Sequence, residues 1–377
     1  MNKNFNDVNT VIQSTPFVSV NQMQKIISEY YVLELNAGKK AKEISAIMLW
    51  GAPGVGKSES VMQIAAELEK ATSKKVNVTD VRLSLYNPVD LRGIPSPNAT
   101  HTEAVWLKPE IFKLDGSEDV LNILFLDELS TCPTSVQACA YQITLDRKIG
   151  EHKLPDNVLV IAAGNRKQDQ SVSIQMPKAL ANRMIHFDVS SSFEDWKKWA
   201  YANNIDERVI GFIAFKPNYL EYGIQSKTDL AYPTPRSWAK VSDILTNIGD
   251  TDSAKLLISG TIGVGIATEF FHFCKCAQNL PSIDAIFNGS YTEVPKDTSL
   301  LYSLVTAMTS KAKVYLNENK SLSHAFNYAM TLPKDFSLLL HENIVAITSQ
   351  ENSRCNPLQM LQDPDYEKWT MSLADSI

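Results

Sequence analysis

The chain has 377 residues, too many for one ordinary hydrophobic core, so two or three domains are expected. With 44% hydrophobic and 21% charged residues it has too much apolar character for an intrinsically disordered chain. Thirty-six Lys and Arg against 42 Asp and Glu give a net charge of -6, which counts against a dedicated duplex-DNA binder, although a local basic groove stays compatible with it.

Up to about Val189, short β-branched runs at 47–50, 81–85, 123–126 and 158–163 alternate with helical stretches. That alternation predicts an α/β fold with a parallel sheet flanked by helices. The first run, AIMLW, leads into Gly51, Ala52, Pro53, Gly54, Val55, Gly56, Lys57 and Ser58, a complete GxxxxGK[ST] motif. A helix is predicted to follow, with Val61, Ile64, Ala65 and Leu68 on one face. A strand before and a helix after are the context this motif needs: the glycines let backbone amides fold round phosphates, and the helix N-terminus adds its dipole. Lys57 would then reach the β- and γ-phosphates of ATP, and the Ser58 hydroxyl would ligate Mg²⁺.

The run ILFL ends in Asp127 and Glu128, which puts two carboxylates at the C-terminal edge of a buried parallel strand. Asp127 is expected to hold Mg²⁺, directly or through water, and Glu128 to polarise the attacking water. The next strand ends at Asn165, an amide placed to orient that water. The segment Pro177-Lys-Ala-Leu-Ala-Asn-Arg183 predicts a short helix ending in an arginine that could complete a neighbouring subunit's site, followed by the strand MIHFDV.

Beyond Ser190 the pattern turns helical. Ser191 with Glu194 fits a capping box for FEDWKKWAYANN, and helices are predicted over 237–248, 252–273 and 300–316, with glycines 260, 263 and 265 weakening the second. Phe270, Phe271, Phe273 and Trp369 are expected in the core, and the six histidines form no motif. The five cysteines are too few and scattered for a disulfide framework; Cys274 and Cys276 read as buried small apolar residues, and no second Cys/His pair completes a zinc site. The first ten residues lack a signal-peptide pattern, and the longest nearly uncharged run, 258–271, is short of a bilayer span. A cytoplasmic protein without membrane insertion is expected.

The order of P-loop, DE pair, asparagine-ended strand and PxALxNR resembles the AAA+ ATPases over about residues 20–250. Three further segments resemble the MoxR-like branch: Asp90-Leu-Arg-Gly-Ile-Pro95 with Ala104-Val-Trp-Leu-Lys-Pro109, Arg147-Lys-Ile-Gly-Glu-His-Lys-Leu-Pro155, and Pro233-Thr-Pro-Arg236-Ser-Trp. The resemblance implies a P-loop AAA+ core over 1–190 with hairpin inserts near 90–109 and 146–156, an α-helical lid over 191–250, and a helical extension over 251–377. It implies Gly51 to Ser58 as the Walker A loop, Asp127 and Glu128 as Walker B, Asn165 as sensor 1, Arg183 as a finger acting in trans and Arg236 as sensor 2. Arg166 replaces a proline common in the branch and rivals Arg183. Pro235 sets the start of the lid helix, with Arg236 in its first turn.

The implied function is a Mg²⁺-dependent ATPase ring, a homo-oligomer expected to be hexameric, that remodels, assembles or matures protein partners such as a von Willebrand factor A-domain protein. A nucleic-acid motor is an alternative, disfavoured by the acidic charge and the lack of a basic–aromatic stripe. A nucleotide-gated scaffold with little hydrolysis is another, disfavoured by the intact Glu128, and a small-molecule kinase has no acceptor site to support it.

Overall fold

The computed structural model describes residues 15–166, 176, 178–223, 229–349 and 357–374. The chain forms two compact units, Met1–Ser190 and Ser191–Ile377.

The first unit begins with β1 (Phe17–Ser19) and α1 (Val20–Asn36), followed by β2 (Ala46–Trp50), α2 (Lys57–Thr72) and β3 (Lys75–Arg82). A short helix α3 (Pro88–Arg92) leads into an antiparallel hairpin of β4 (Ile94–Pro97) and β5 (Ala104–Leu107). Then come β6 (Val120–Asp127), α4 (Thr134–Asp146), the two-residue strands β7 (Lys148–Ile149) and β8 (His152–Lys153), β9 (Val158–Gly164), α5 (Lys178–Ala181) and β10 (Met184–Ser190). Six strands make one parallel sheet in the order β1-β10-β2-β9-β6-β3.

Period-2 alternation explains why this sheet needs helices on both faces. Along β9, Val158, Val160 and Ala162 enter one core with Met48, Leu124, Leu126 and the α4 residues Val136 and Ile143. Their neighbours Leu159, Ile161 and Ala163 enter the other core with Ile47, Leu49, Phe125 and residues of α1 and α2. The predicted face of α2 (Val61, Ile64, Ala65, Leu68) is buried in this second core. The strand expected over 81–85 lies earlier: KVNVTDVR pairs with β6 along its whole length, and Leu83–Leu85 tightens into a 3-10 turn.

Among its described residues the second unit forms helices without strands: α6 (Phe193–Ala202), α7 (Glu207–Phe215), α8 (Pro235–Ile248), α9 (Asp252–Ile262), α10 (Val264–Ala277), α11 (Ile283–Phe287), α12 (Thr298–Asn317), α13 (Ser323–Ala329), α14 (Lys334–Thr348), α15 (Pro357–Leu361) and α16 (Pro364–Ala374). The cap of α6 is Ser192, not Ser191; Ser192 accepts from the Asp195 amide, while the Ser191 hydroxyl donates to Glu221. The single helix expected over 252–273 breaks at Gly263, whose φ of +85° suits glycine and closes α9. Phe270 and Phe273 pack with Phe212 and Trp238 in one core, whereas Trp369 lies in another with Phe326 and Tyr366. Cys274 and Cys276 are half-buried rather than fully enclosed, because α10 keeps one side toward solvent. Cys355 lies outside the described residues.

Among the described residues no helix is long and apolar enough to cross a membrane.

Candidate nucleotide-binding site

The parallel sheet decides where the polar residues collect. Strands β2, β6 and β9 are neighbours running the same way, so their C-terminal ends deliver Gly51, Asp127 and Asn165 to one edge. The loop after β2 is shaped by its glycines in two different ways. At Gly56 an added Cβ would meet open space, but φ is +107°, a conformation that L side chains rarely adopt. At Gly51 the constraint is contact: a Cβ would lie 2.6 Å from the Val189 carbonyl oxygen of β10.

The first intrahelical bond of α2 runs from the Ser60 amide to the Gly56 carbonyl at 3.0 Å. The amides of Lys57, Ser58 and Glu59 precede it and have no acceptor within the helix. They lie at the positive end of a 16-residue helix, which is an anion-binding arrangement.

The Lys57 ammonium is buried and donates to the carbonyls of Gly51 (2.6 Å) and Ala52 (3.0 Å) and to Asn165 Oδ1 (3.4 Å). The Ser58 hydroxyl donates to Asp127 Oδ2 at 3.2 Å. An alcohol and a carboxylate oxygen side by side form a hard oxygen donor pair of the kind Mg²⁺ takes together with phosphate oxygens and water. The wider electrostatics fit a cation here. Asp80, on β3, has its carboxyl pushed above the usual range, first by burial and then by the negative charges of Asp127 and Glu128, with Arg82 opposing.

Glu128 follows the last residue of β6 with φ of +60°, in the left-handed region. The turn is held from several directions. The Glu128 amide donates to Asp127 Oδ1 (2.8 Å), its carbonyl accepts from the amides of Thr131 (3.1 Å) and Cys132 (3.2 Å), and the Leu129 amide reaches the Ala163 carbonyl (2.8 Å). A non-glycine residue in this region costs about 1–3 kcal/mol and persists only where surrounding bonds over-determine it. The turn presents the Glu128 carboxylate to the Ser84 hydroxyl, which donates to Oε2.

Asn165 is fixed by a reciprocal pair with Ser130. The Asn165 amide donates to Ser130 Oγ (2.9 Å), which donates to the Asn165 carbonyl (3.1 Å). This leaves the Asn165 side chain facing Lys57.

The two candidate arginines differ. Arg166 is committed within its own unit: its Nε lies 2.9 Å from Asp188 Oδ1, a terminal nitrogen donates to the Val189 carbonyl (2.8 Å), and the guanidinium lies over the Phe17 ring. Arg183 is exposed at the turn after α5, where its amide donates to the Leu180 carbonyl (2.9 Å). Among the described residues no hydrogen bond or ion pair engages its side chain. Pro177, the first residue of that motif, lies outside the described residues. Arg236 belongs to the second unit, exposed in the first turn of α8. That helix starts at Pro235 behind a Thr234 cap, as the Pro rule predicts.

Residues 47–189 match the model of the family described as "ATPase family associated with various cellular activities (AAA)". The α/β unit carries an AAA domain. The match takes in the P-loop, Asp127, Glu128, Asn165 and Arg183. No curated protein sequence matches the chain significantly. Similar solved structures include PCH-2 of C. elegans, at 15% identity and a TM-score of 0.35, covering 68% of this chain and 69% of that one. A RuvB mutant of Thermotoga maritima covers 92% and 93%, at 16% identity and 0.35. NtrX of Brucella abortus in complex with ATP covers 85% and 69%, at 10% identity and 0.37.

Sequence reasoning missed three partners of the AAA site. Ser84 and Asp80 reach it only because β3 pairs with β6 in a register that sets Arg82 opposite Asp127. Ser130 falls in a loop whose course no local pattern predicts. A signal existed for Asp80 alone: it is an acid inside the β-branched run VNVTDV.

Proposed function

We propose that this chain hydrolyses Mg-ATP and, as a ring of copies of the MoxR-like AAA+ type, uses the cycle to remodel or mature protein partners. The observation that carries the reading is the convergence of two hydrogen-bonded pairs, Lys57 with Asn165 and Ser58 with Asp127, at the mouth of the P-loop.

In this reading the loop amides and Lys57 bind the β- and γ-phosphates, so the ammonium exchanges backbone carbonyls for phosphate oxygens. Ser58 and Asp127 hold Mg²⁺, which supplies charge neutralisation between the phosphates when bound. Glu128 orients and polarises the attacking water, Ser84 sets the direction of its carboxylate, and Asn165 steadies the γ-phosphate side. Arg183 reaches the site of the neighbouring copy, where such a finger is worth about 10³–10⁵ in rate. Its exposure supports that role, and the ion pair of Arg166 with Asp188 favours Arg183 over Arg166. Arg236 takes the sensor 2 role that the resemblance implies. The expected assembly is hexameric and cytoplasmic, and a von Willebrand factor A-domain protein is the expected class of partner.

The test is phosphate release against protein concentration, run beside mass photometry, for wild type, Glu128→Gln and Arg183→Ala. Turnover per subunit should climb as rings appear. Both variants should assemble and bind ATP while losing turnover by about 10²-fold or more. Turnover that is flat with concentration and indifferent to Arg183 would remove the trans mechanism.

A further inference from the structure

We propose that His186 is a positioning residue that ties a subunit's own P-loop strand to the arginine it presents to its neighbour. The inference rests on the trans role of Arg183 and adds a route by which that arginine is held.

The observation is a side-chain relay that neither the motifs nor the nucleotide site uses. Trp50 is the last residue of β2, immediately before Gly51. His186 lies on β10, the parallel neighbour of β2, and its ring lies edge to edge with the Trp50 indole, centroids 6.2 Å apart and planes 13° from parallel. Trp50 Nε1 lies 3.0 Å from His186 Nδ1. An indole N–H can only donate, so Nδ1 must be the unprotonated acceptor, and the ring proton of the neutral imidazole sits on Nε2. Nε2 is 2.7 Å from the Ala181 carbonyl and donates to it.

Ala181 is the last residue of α5, two residues before Arg183. Its carbonyl would need the amide of residue 185 to continue an α-helix, but Ile185 already belongs to β10, paired opposite Ile47. The imidazole therefore supplies the donor that the chain cannot, and it fixes the turn Asn182–Arg183 against β2. The relay runs Trp50 to His186 to the Ala181 carbonyl, from the P-loop's root to the arginine's turn. A displacement of about 1 Å in a catalytic group can cost about 10²-fold in rate, so the imidazole has enough leverage to matter. Glutamine at 186 could keep both bonds, because its amide carries one acceptor and one donor end.

The experiment uses subunit mixing. His186→Ala should assemble and bind a fluorescent ATP analogue as wild type does, with the KM for ATP unchanged and kcat reduced about 10–10²-fold. His186→Gln should recover most of that loss, and Trp50→Phe, which keeps a ring but no donor, should lose part of it. Co-assembly with Glu128→Gln then separates cis from trans. Glu128→Gln subunits have a dead site but an intact arginine turn, and they can serve the live sites of His186→Ala neighbours. In a random one-to-one ring about a quarter of sites are live and correctly served, so turnover should return to about a quarter of wild type. Arg183→Ala mixed with Glu128→Gln is the control and should recover likewise. If the control recovers and the His186→Ala mixture does not, the defect lies in the subunit's own site and the relay is refuted. A control that fails to recover refutes the trans arginine itself, and the relay's function with it.

Discussion

At the scale of single residues, the site concentrates negative charge before any cation is considered. Asp80, Asp127 and Glu128 share one sheet edge, and the cost falls on Asp80, whose carboxyl is raised by burial and by its two acidic neighbours. The sign of the linkage follows. A raised folded-state pKa means the native protein holds the proton more tightly than the unfolded chain does, so Asp80 weakens the fold as pH rises through and above its window. Asp80→Asn should therefore raise the melting temperature in Mg²⁺-free buffer at neutral pH. The gain should shrink as pH falls through about 4 and vanish at about 3, below the ordinary Asp value, where the carboxyl is protonated in both states. Differential scanning fluorimetry across that range checks it, and a gain that grows on acidification would contradict the charge crowding. Glu128 shows a different residue-scale effect. Its backbone conformation is unusual, and no feature of the string LDEL announces it; the bonds that hold it come from Ala163, Thr131 and Cys132.

At the scale of elements, patterning and capping predict well where a helix or strand answers to its own sequence. The face of α2, the burial of β6 and the proline-led start of α8 all follow from local rules. They fail where a neighbour decides, as at β3, which is strand because β6 pairs with it from Lys75 onward. The C-terminal helix α16 is a further case, since a short amphipathic helix holds only by docking. Its Trp369 is fully buried, stacks on Phe326 and donates Nε1–H to Ser337 Oγ at 2.8 Å. Trp369→Ala should cost roughly 3–5 kcal/mol through lost packing and the cavity left behind. Trp369→Phe, which keeps most of the packing but loses the hydrogen bond, should cost less. Urea denaturation followed by circular dichroism measures both, and an unmoved midpoint for the alanine variant would mean that α16 contributes nothing to the fold.

At the scale of the whole molecule, each of the two compact units closes its own cores. The α/β unit buries the two faces of its sheet, and the helical unit buries one core around Phe212, Trp238 and Phe270 and another around Phe326, Trp369 and Leu304. A unit with its own core can fold alone. Residues 191–377 expressed separately should give a helical spectrum and one cooperative thermal transition. A non-cooperative melt would show that the helical unit depends on the AAA domain for its stability. Nucleotide should then protect the α/β unit, through binding to its native state.

The sequence by itself determined the α/β class and the strand-to-helix turn that carries the eight residues of the P-loop motif. Each of these depends on interactions along a few consecutive positions, which a motif or a periodicity records. It also placed two acids and an amide at strand ends, because the ends of apolar runs are visible. The tertiary structure alone decided which ends lie side by side. The order β10-β2-β9-β6-β3 brings Lys57 to Asn165 and Ser84 to Glu128 across separations of 108 and 44 residues. It also commits Arg166 to Asp188 and joins Trp50 to Ala181 through His186. Strand order and register are properties of pairing between distant segments, and a single chain of letters carries no local mark of its partner.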